Sequence, residues 1–384
     1  MRAYFSCRTI GVFLVGMAAG ILSSPVLAVD FSGNGFLTLA AGRMLGGSVE
    51  GMNSVGYNCP CQIADYSQAG VYQSGGLKLG PDSKIGYHGK ATVNETLSFT
   101  AQAVSRGAQN GKVDLEWAYG NYSLTPQTTL QFGRKRLPLF YYSETEDVGF
   151  SFPWLHLPPQ TYGWEVVNYN GINILHKSQL GSWATTLNAF VGQELRKNDP
   201  YQYLYSGKGY RIDTEWSGIV GAEYLLSHDW IDARIMYMQS NTRNNDVPSG
   251  TGWSPKKRQQ LAGASLILTP GDWFIASETL VTKRKAYGGD FAASFSVGRR
   301  FGQWMPMVTI AKYRQIIDMN EADPNSYPDG TERHTDISFV LRYDLTSTSD
   351  IKVQYDNWRD QSNPGFTKNY GRSQLITIAY DMVF

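Results

Sequence analysis

From Asn34 to the C-terminus the chain is written largely in a period of two. In Leu375 to Phe384, LITIAYDMVF, the residues Ile376, Ile378, Tyr380, Met382 and Phe384 share one face, while Leu375, Thr377, Ala379, Asp381 and Val383 share the other. Successive side chains of a strand point to opposite sides, so this alternation predicts β-structure. The same pattern predicts strands over Asn34–Gly42, Lys84–Val93, Leu97–Ala103, Val113–Tyr122 and Thr129–Arg134. Further on it predicts Asn170–Gln179 with Trp183–Val191, Thr214–Ser227 with Trp230–Thr242, and Arg258–Thr269 with Trp273–Lys285. The last are Asp290–Arg300 with Trp304–Ile316, Arg333–Leu345 with Asp350–Arg359, and Arg372–Phe384, about sixteen strands in all.

The connections alternate in length. Short turns fall near Asn94, Pro126, Gly181, His228, Gly271, Gly302 and Thr348. Longer polar links fall near Cys59, Gln109, Leu155, Pro200, Asp246, Tyr287, Asp323 and Asn363. Short–long alternation along an even number of strands predicts an all-β, up-and-down antiparallel transmembrane barrel with brief inner turns and wide outer loops. A closed barrel also pairs every backbone amide that lipid would leave without a partner. A soluble sandwich would not usually carry an edge row as apolar as Ile376 to Phe384, and a propeller or solenoid would show a fixed repeat.

Several strands separate into a lipid face and a charged face. Ile337, Phe339, Leu341, Tyr343 and Leu345 face out, leaving Asp336, Ser338, Arg342 and Asp344 inside; Ile351, Val353 and Tyr355 face out, leaving Lys352, Gln354 and Asp356 inside. Val113, Leu115, Trp117 and Tyr119 are expected outward, with Asp114 and Glu116 inward; Asp232 and Arg234 also point in. Unpaired buried charge is costly, so this inner wall is expected to be wet, and sixteen strands enclose more space than side chains fill. Trp183, Trp230, Trp273 and Trp304 each follow a short turn, as an interfacial girdle requires.

Composition refines the setting. Arg2 and Arg8 precede an apolar run, Ile10 to Leu22, too short to span a bilayer, and Ser23 to Ala28 ends in small residues. This predicts a signal peptide over 1–28, cleaved after Ala28, in preference to an uncleaved anchor, with residues 29–384 as the barrel. Cys7 lies in the leader without a lipobox. Of 34 basic residues, removing Arg2 and Arg8 leaves 32 against 33 acids, a near-neutral mature chain. That balance argues against a nucleic-acid partner. Cys59 and Cys61 are too sparse for zinc; a local disulfide is the simpler reading in an oxidising compartment, with ring strain set against it. No cofactor is implied.

The strand Lys84-Ile85-Gly86-Tyr87-His88-Gly89, its turn at Asn94 to Thr96, and Leu97-Ser98-Phe99-Thr100-Ala101-Gln102 resemble strands two and three of the general trimeric porins of Gram-negative bacteria. The terminal Phe384, with Tyr380 four residues before it, resembles the sorting signal read by the barrel-assembly machinery. The resemblance implies outer-membrane localisation, contact with lipid and lipopolysaccharide, a homotrimer, and passive diffusion of small hydrophilic solutes and ions. It also implies that the loop after strand five folds into the pore.

That loop is the long aromatic and acidic insert after Thr129–Arg134, and it is the third outer loop. Loops of this length in a compact fold are usually functional. The resemblance places Lys84 and Arg134 on a basic wall, with Arg136 beside them, facing Glu144, Glu146 and Asp147; opposed charges at a waist create a transverse field. The alternative leaves these carboxylates solvated on the outer surface. The family's Pro-Glu-Phe-Gly-Gly motif is absent, and strict alternation turns Arg134 outward unless Gly133 bulges. Tyr141, Tyr142, Trp154, Tyr162 and Trp164 either pack the loop on the wall or form a stacking surface for solutes.

Three other readings compete. One is a selective channel with a solute-binding site. Another is an outer-membrane hydrolase, for which His88, His156, His176, His228 and His334 are scattered and no Gly-x-Ser-x-Gly is present. The last is a plugged structural barrel, which a charged inner face disfavours.

Overall fold

The computed structural model describes residues 29–49, 56–284, 288–316, 332–363 and 369–384. The leader expected over 1–28 lies outside them. Sixteen antiparallel strands close a barrel: β1 (Asp30–Ser48), β4 (Lys84–Thr92), β5 (Leu97–Arg106), β6 (Lys112–Ser123), β7 (Thr128–Arg136), β8 (Asn168–Leu180), β9 (Trp183–Arg196) and β10 (Ile212–His228) form one half. The other half is β11 (Ile231–Asp246), β12 (Lys257–Leu268), β13 (Trp273–Arg284), β14 (Gly289–Arg299), β15 (Trp304–Ile316), β16 (Arg333–Thr346), β17 (Ser349–Asp360) and β18 (Arg372–Val383). A small hairpin, β2 (Cys61–Asp65) with β3 (Gly70–Gln73), stands apart from the barrel sheet. The Gly/Ser-rich composition there reads as loop, because two strands this short carry too few residues to show a period.

Closure comes from β1, which pairs with β4 along its first half and with β18 along most of its length. Phe384 completes the seam: Gly35 N–H donates to Phe384 O at 2.7 Å, and Phe384 N–H donates back at 2.9 Å. The Phe384 ring lies over Gly35, where an added Cβ would stand 2.3 Å from the ring. The last residue of the chain is therefore part of the wall. No helix among the described residues is long and apolar enough to cross a membrane; the crossing elements are the strands.

The outer face is the apolar one. Leu39, Ile85, Ile235, Phe339 and Ile378 are all exposed, and so are Trp230, Trp273 and Trp304 just past their turns. A soluble protein could not keep such a continuous surface in water, whereas a lipid-facing one must.

One strand departs from the expected alternation. The pairing of β5 with β6 slips between Gln102↔Trp117 and Ala103↔Leu115. A bulge at this point puts Glu116 and Trp117 on the same side, since one extra residue reverses every face beyond it. Trp117 and Tyr119 therefore stand in register with the inward-facing Gln102 and Thr100, not toward lipid as strict alternation requires. The expected bulge at Gly133 is not in the ladder: Tyr119↔Gly133 and Ala118↔Arg134 pair without a slip, although Gly133 has φ +132°. A Cβ at Gly133 would meet the Ala118 carbonyl at 2.3 Å, so glycine is required there.

Candidate functional site

Between β7 and β8 the insert, residues 137–167, leaves the ladder and bonds to strands all around the barrel. At one side, β4, β5 and β7 present Lys84, Arg106 and Arg136. Arg106 reaches Asp147 at 2.6 Å and Glu116 at 2.7 Å. Arg136 reaches Asp147 at 2.6 Å, Glu146 at 3.0 Å and Glu116 at 3.3 Å. Lys84 Nζ donates to the Glu146 carbonyl at 2.9 Å. Both guanidiniums are buried, with Glu116 and Asp147 between them. Paired forks of this kind offset the desolvation of the charges. Burial raises the Asp147 carboxyl, but Arg106 and Arg136 outweigh it and hold the group well below the usual carboxylate range. Burial dominates at Glu146, which is pushed up to about 7 despite Arg136.

The far side of the insert is held by other strands. Arg342 of β16 donates to the Phe150 and Phe152 carbonyls at 3.1 and 3.0 Å, and Lys352 of β17 donates to the Gly149 carbonyl at 2.6 Å. Gly149 sits so close to the wall that a Cβ would lie 2.0 Å from Asp381 Oδ1. Glu278 of β13 accepts from Tyr141 N–H at 2.7 Å and from the Tyr162 hydroxyl at 2.5 Å. Trp154 Nε1 donates to Thr309 at 2.8 Å, and Trp216 Nε1 donates to Glu165 at 2.9 Å. Arg234 donates to the Leu139 carbonyl at 3.2 Å and to that of Pro138.

Between these anchors Phe140, Phe152, Trp154, Tyr162 and Trp164 join one apolar cluster with inward residues of β9 to β16, among them Met238, Leu261 and Phe274. Each such aromatic is worth on the order of 3–5 kcal/mol against truncation to alanine. Methionine and leucine on an inner wall would be wasted against water. Their presence on one side of the lumen matches an apolar occupant, which the insert supplies.

No family model and no curated protein matches the sequence. Solved structures do resemble the fold. Outer-membrane expressed OmpT of Vibrio cholerae aligns with TM-score 0.57 at 11% identity, over 95% of this chain and 100% of that one. The outer membrane channel DcaP of Acinetobacter baumannii aligns with TM-score 0.58 at 12% identity, over 93% and 97%. OmpF of Salmonella typhi, solved with daunomycin, aligns with TM-score 0.58 at 11% identity, over 92% and 97%.

The fold is that of an outer-membrane porin barrel.

Within this barrel the candidate residues divide. Lys84, Arg136, Glu146 and Asp147 meet at one anchor of the insert. Arg134 does not join them. Its guanidinium pairs with Glu194 at 2.8 Å and donates to the Leu115 carbonyl at 2.8 Å. With Arg134 held by Glu194, the place expected for it opposite the loop acids is taken by Arg106, which the sequence reading missed. Arg134 instead spans β6 and β9 above the point where β7 and β8 stop bridging them. Glu144 stays exposed, 3.7 Å from Lys135 Nζ.

The wall residues of the barrel are paired more than wetted. Lys352 and Asp356 are fully buried, with Lys352 bonding Asp381 at 3.0 Å. Arg342 pairs with Asp350 at 2.9 Å, Arg234 with Glu223 at 2.7 Å, and Asp336 accepts from Ser338 at 2.9 Å. Asp114 pairs with Lys112 at 2.7 Å, and Asp232 accepts from the Tyr141 hydroxyl at 2.5 Å. The expectation of an inner face wet throughout is thus corrected for β16 to β18. The insert supplies carbonyls and apolar cover that a strand pattern does not reveal. The aromatics Tyr142, Trp154, Tyr162 and Trp164 are likewise buried as packing and offer no stacking face. Cys59 and Cys61 are joined by a disulfide.

His156, near the middle of the insert, lies 3.2 Å from Asp82 and 3.5 Å from Asp356. Burial opposes its charge, but Asp82 and Asp356 raise its pKa well above 6.5. A raised folded-state pKa contributes stability that is full below about pH 6.5 and is lost as pH climbs through the raised value. His156→Gln is therefore expected to flatten the alkaline fall in thermal unfolding temperature, measured in detergent from pH 6 to 10. A native-like fall in the variant would show that the histidine charge does not hold the insert.

Proposed function

We propose that the chain forms a water-filled outer-membrane channel for passive diffusion of small hydrophilic solutes and ions, narrowed by residues 137–167. The observation that carries this reading is the asymmetry of the lumen. Inward residues of β12 to β18 are almost all buried, many of them against the insert. On β4 to β11 buried positions such as Gln102 and Asn188 are interspersed with Lys90, Trp117, Tyr119, Asn121, Glu223 and Asp232, which stay open or half-open. A barrel of sixteen strands leaves room for water beside the insert. In this reading residues 1–28 are removed on export, and the Phe384 strand is what the assembly machinery engages.

A homotrimer in the lipopolysaccharide-containing membrane is part of the proposal. The outer face of β4 to β7 carries an open groove of about 870 Å³ floored by Gly89, Ala101, Ala118 and Gly120 between Phe99 and Phe132. Small residues let neighbouring backbones approach closely in lipid. OmpT of Vibrio cholerae has been solved in a trimer form.

The hydrolase reading has one specific arrangement to weigh. His334 Nε2 lies 3.4 Å from Ser362 Oγ. Glu332 and Asp360 approach that same nitrogen, while Nδ1 faces the Tyr66 hydroxyl at 2.8 Å. A base must take the serine proton on one nitrogen and be oriented by an acid on the other, and Ser362 is buried. The geometry favours a channel. Reconstitution into planar bilayers is expected to give open-channel conductance appearing in steps of three; absence of any conductance refutes the reading.

A further inference from the structure

The bulge in β6 turns two large rings into the open side of the lumen. Trp117 and Tyr119 lie along one inner face with centroids 6.3 Å apart, and His88 of β4 meets Trp117 edge-on at 5.3 Å. Lys135 Nζ stands 5.0 Å above the Tyr119 ring. Tyr119, Thr100 and Lys90 form one inward row across three strands. Lys90 is exposed and has no ion-pair partner among the described residues. Asn121, half-buried on the next inward position, is held by Gln131 at 2.6 Å.

Rings on a lipid-facing wall serve as anchors, but rings on a wetted wall have no solvent reason to be there. Both rings are half-buried and stand outside the insert's apolar cluster, and the Lys135 over Tyr119 reaches the exposed Glu144 of the insert at 3.7 Å. Lys90, exposed and without an ion-pair partner among the described residues, shares the inward row of Tyr119. We infer that Trp117, Tyr119 and Lys90 form a binding station for ring-bearing organic anions, the ring stacking on Trp117 and Tyr119 and the anionic group meeting Lys90. The inference rests on the channel reading and specifies a solute class for it.

The test is current block in planar bilayers bathed in KCl, with sodium benzoate as the probe and sodium acetate as the ringless control. In the native chain benzoate is expected to reduce single-channel current saturably, and acetate is not. The double variant Trp117→Leu/Tyr119→Leu is expected to raise the half-blocking benzoate concentration about tenfold. Lys90→Gln, on an exposed position that cannot disturb packing, is expected to raise it several-fold with KCl conductance retained. Native conductance that benzoate and acetate affect equally overturns the inference alone, as does equal benzoate block in the native chain and Lys90→Gln. Absence of KCl conductance in the native chain overturns the channel reading and this inference together.

Discussion

Deleting Ser143 to Phe152 is expected to raise single-channel conductance about twofold or more, because the segment occupies lumen that sixteen strands otherwise leave to water. The deletion removes Asp147, Gly149 and Phe152, which between them engage Arg106, Arg136, Lys352 and the apolar wall. The arginines and the lysine then face the passage with their loop partners gone. Ion preference should accordingly move toward anions, read as a shift in reversal potential under a KCl gradient. Unchanged conductance and unchanged preference would place the segment outside the conducting path. The barrel itself is expected to survive, since its ladders close through β1 and β18 without the insert.

Arg136→Ala is expected to cost about 3–5 kcal/mol, the penalty for removing one partner from a buried charged network. Its guanidinium is buried and serves Glu116, Glu146 and Asp147 at once. Its loss leaves Glu116 and Asp147 sharing Arg106 alone. Urea unfolding of the detergent-solubilised protein should show a clearly lower midpoint, and the acid sensitivity should change with it. Asp147 has a depressed pKa, so its contribution is present above about pH 3.8 and is lost as pH falls toward the folded-state value. In Arg136→Ala that acid limb should shrink. Glu144→Gln is the control: its carboxylate is exposed and 3.7 Å from the nearest amine, so the midpoint should move by less than about 1 kcal/mol. Equal effects of the two substitutions would refute the central role of the Arg106–Arg136 cluster.

The strand pattern made most of the architecture legible. Alternation located all sixteen barrel strands, usually within a few residues, because a strand with one face in lipid and one inside must write that difference into every second position. It also gave the insert its address after the fifth barrel strand, and it separated Ile337 and Phe339 from Asp336 and Ser338 correctly. The hairpin β2–β3 escaped because four or five residues cannot establish a period.

What the pattern could not carry is partnership. A period of two says which face a residue occupies, not which residue from a distant segment meets it. Arg134 and Arg136 are two positions apart and equally basic, yet only Arg136 meets the acids of the insert, while Arg134 is taken up by Glu194 of β9. Arg106 looks like an ordinary strand terminus until Asp147 arrives 41 residues later. The inward turn of Trp117 and Tyr119 has the same origin: a one-residue bulge leaves no mark in hydropathy, but it reverses every side chain after it. The sequence by itself determined a closed barrel with an apolar exterior and a long insert at a known place, since solvent and lipid act on each residue separately. Only the tertiary structure decided which half of the lumen the insert covers and which side chains remain open beside it, since that depends on contacts between segments far apart in the chain.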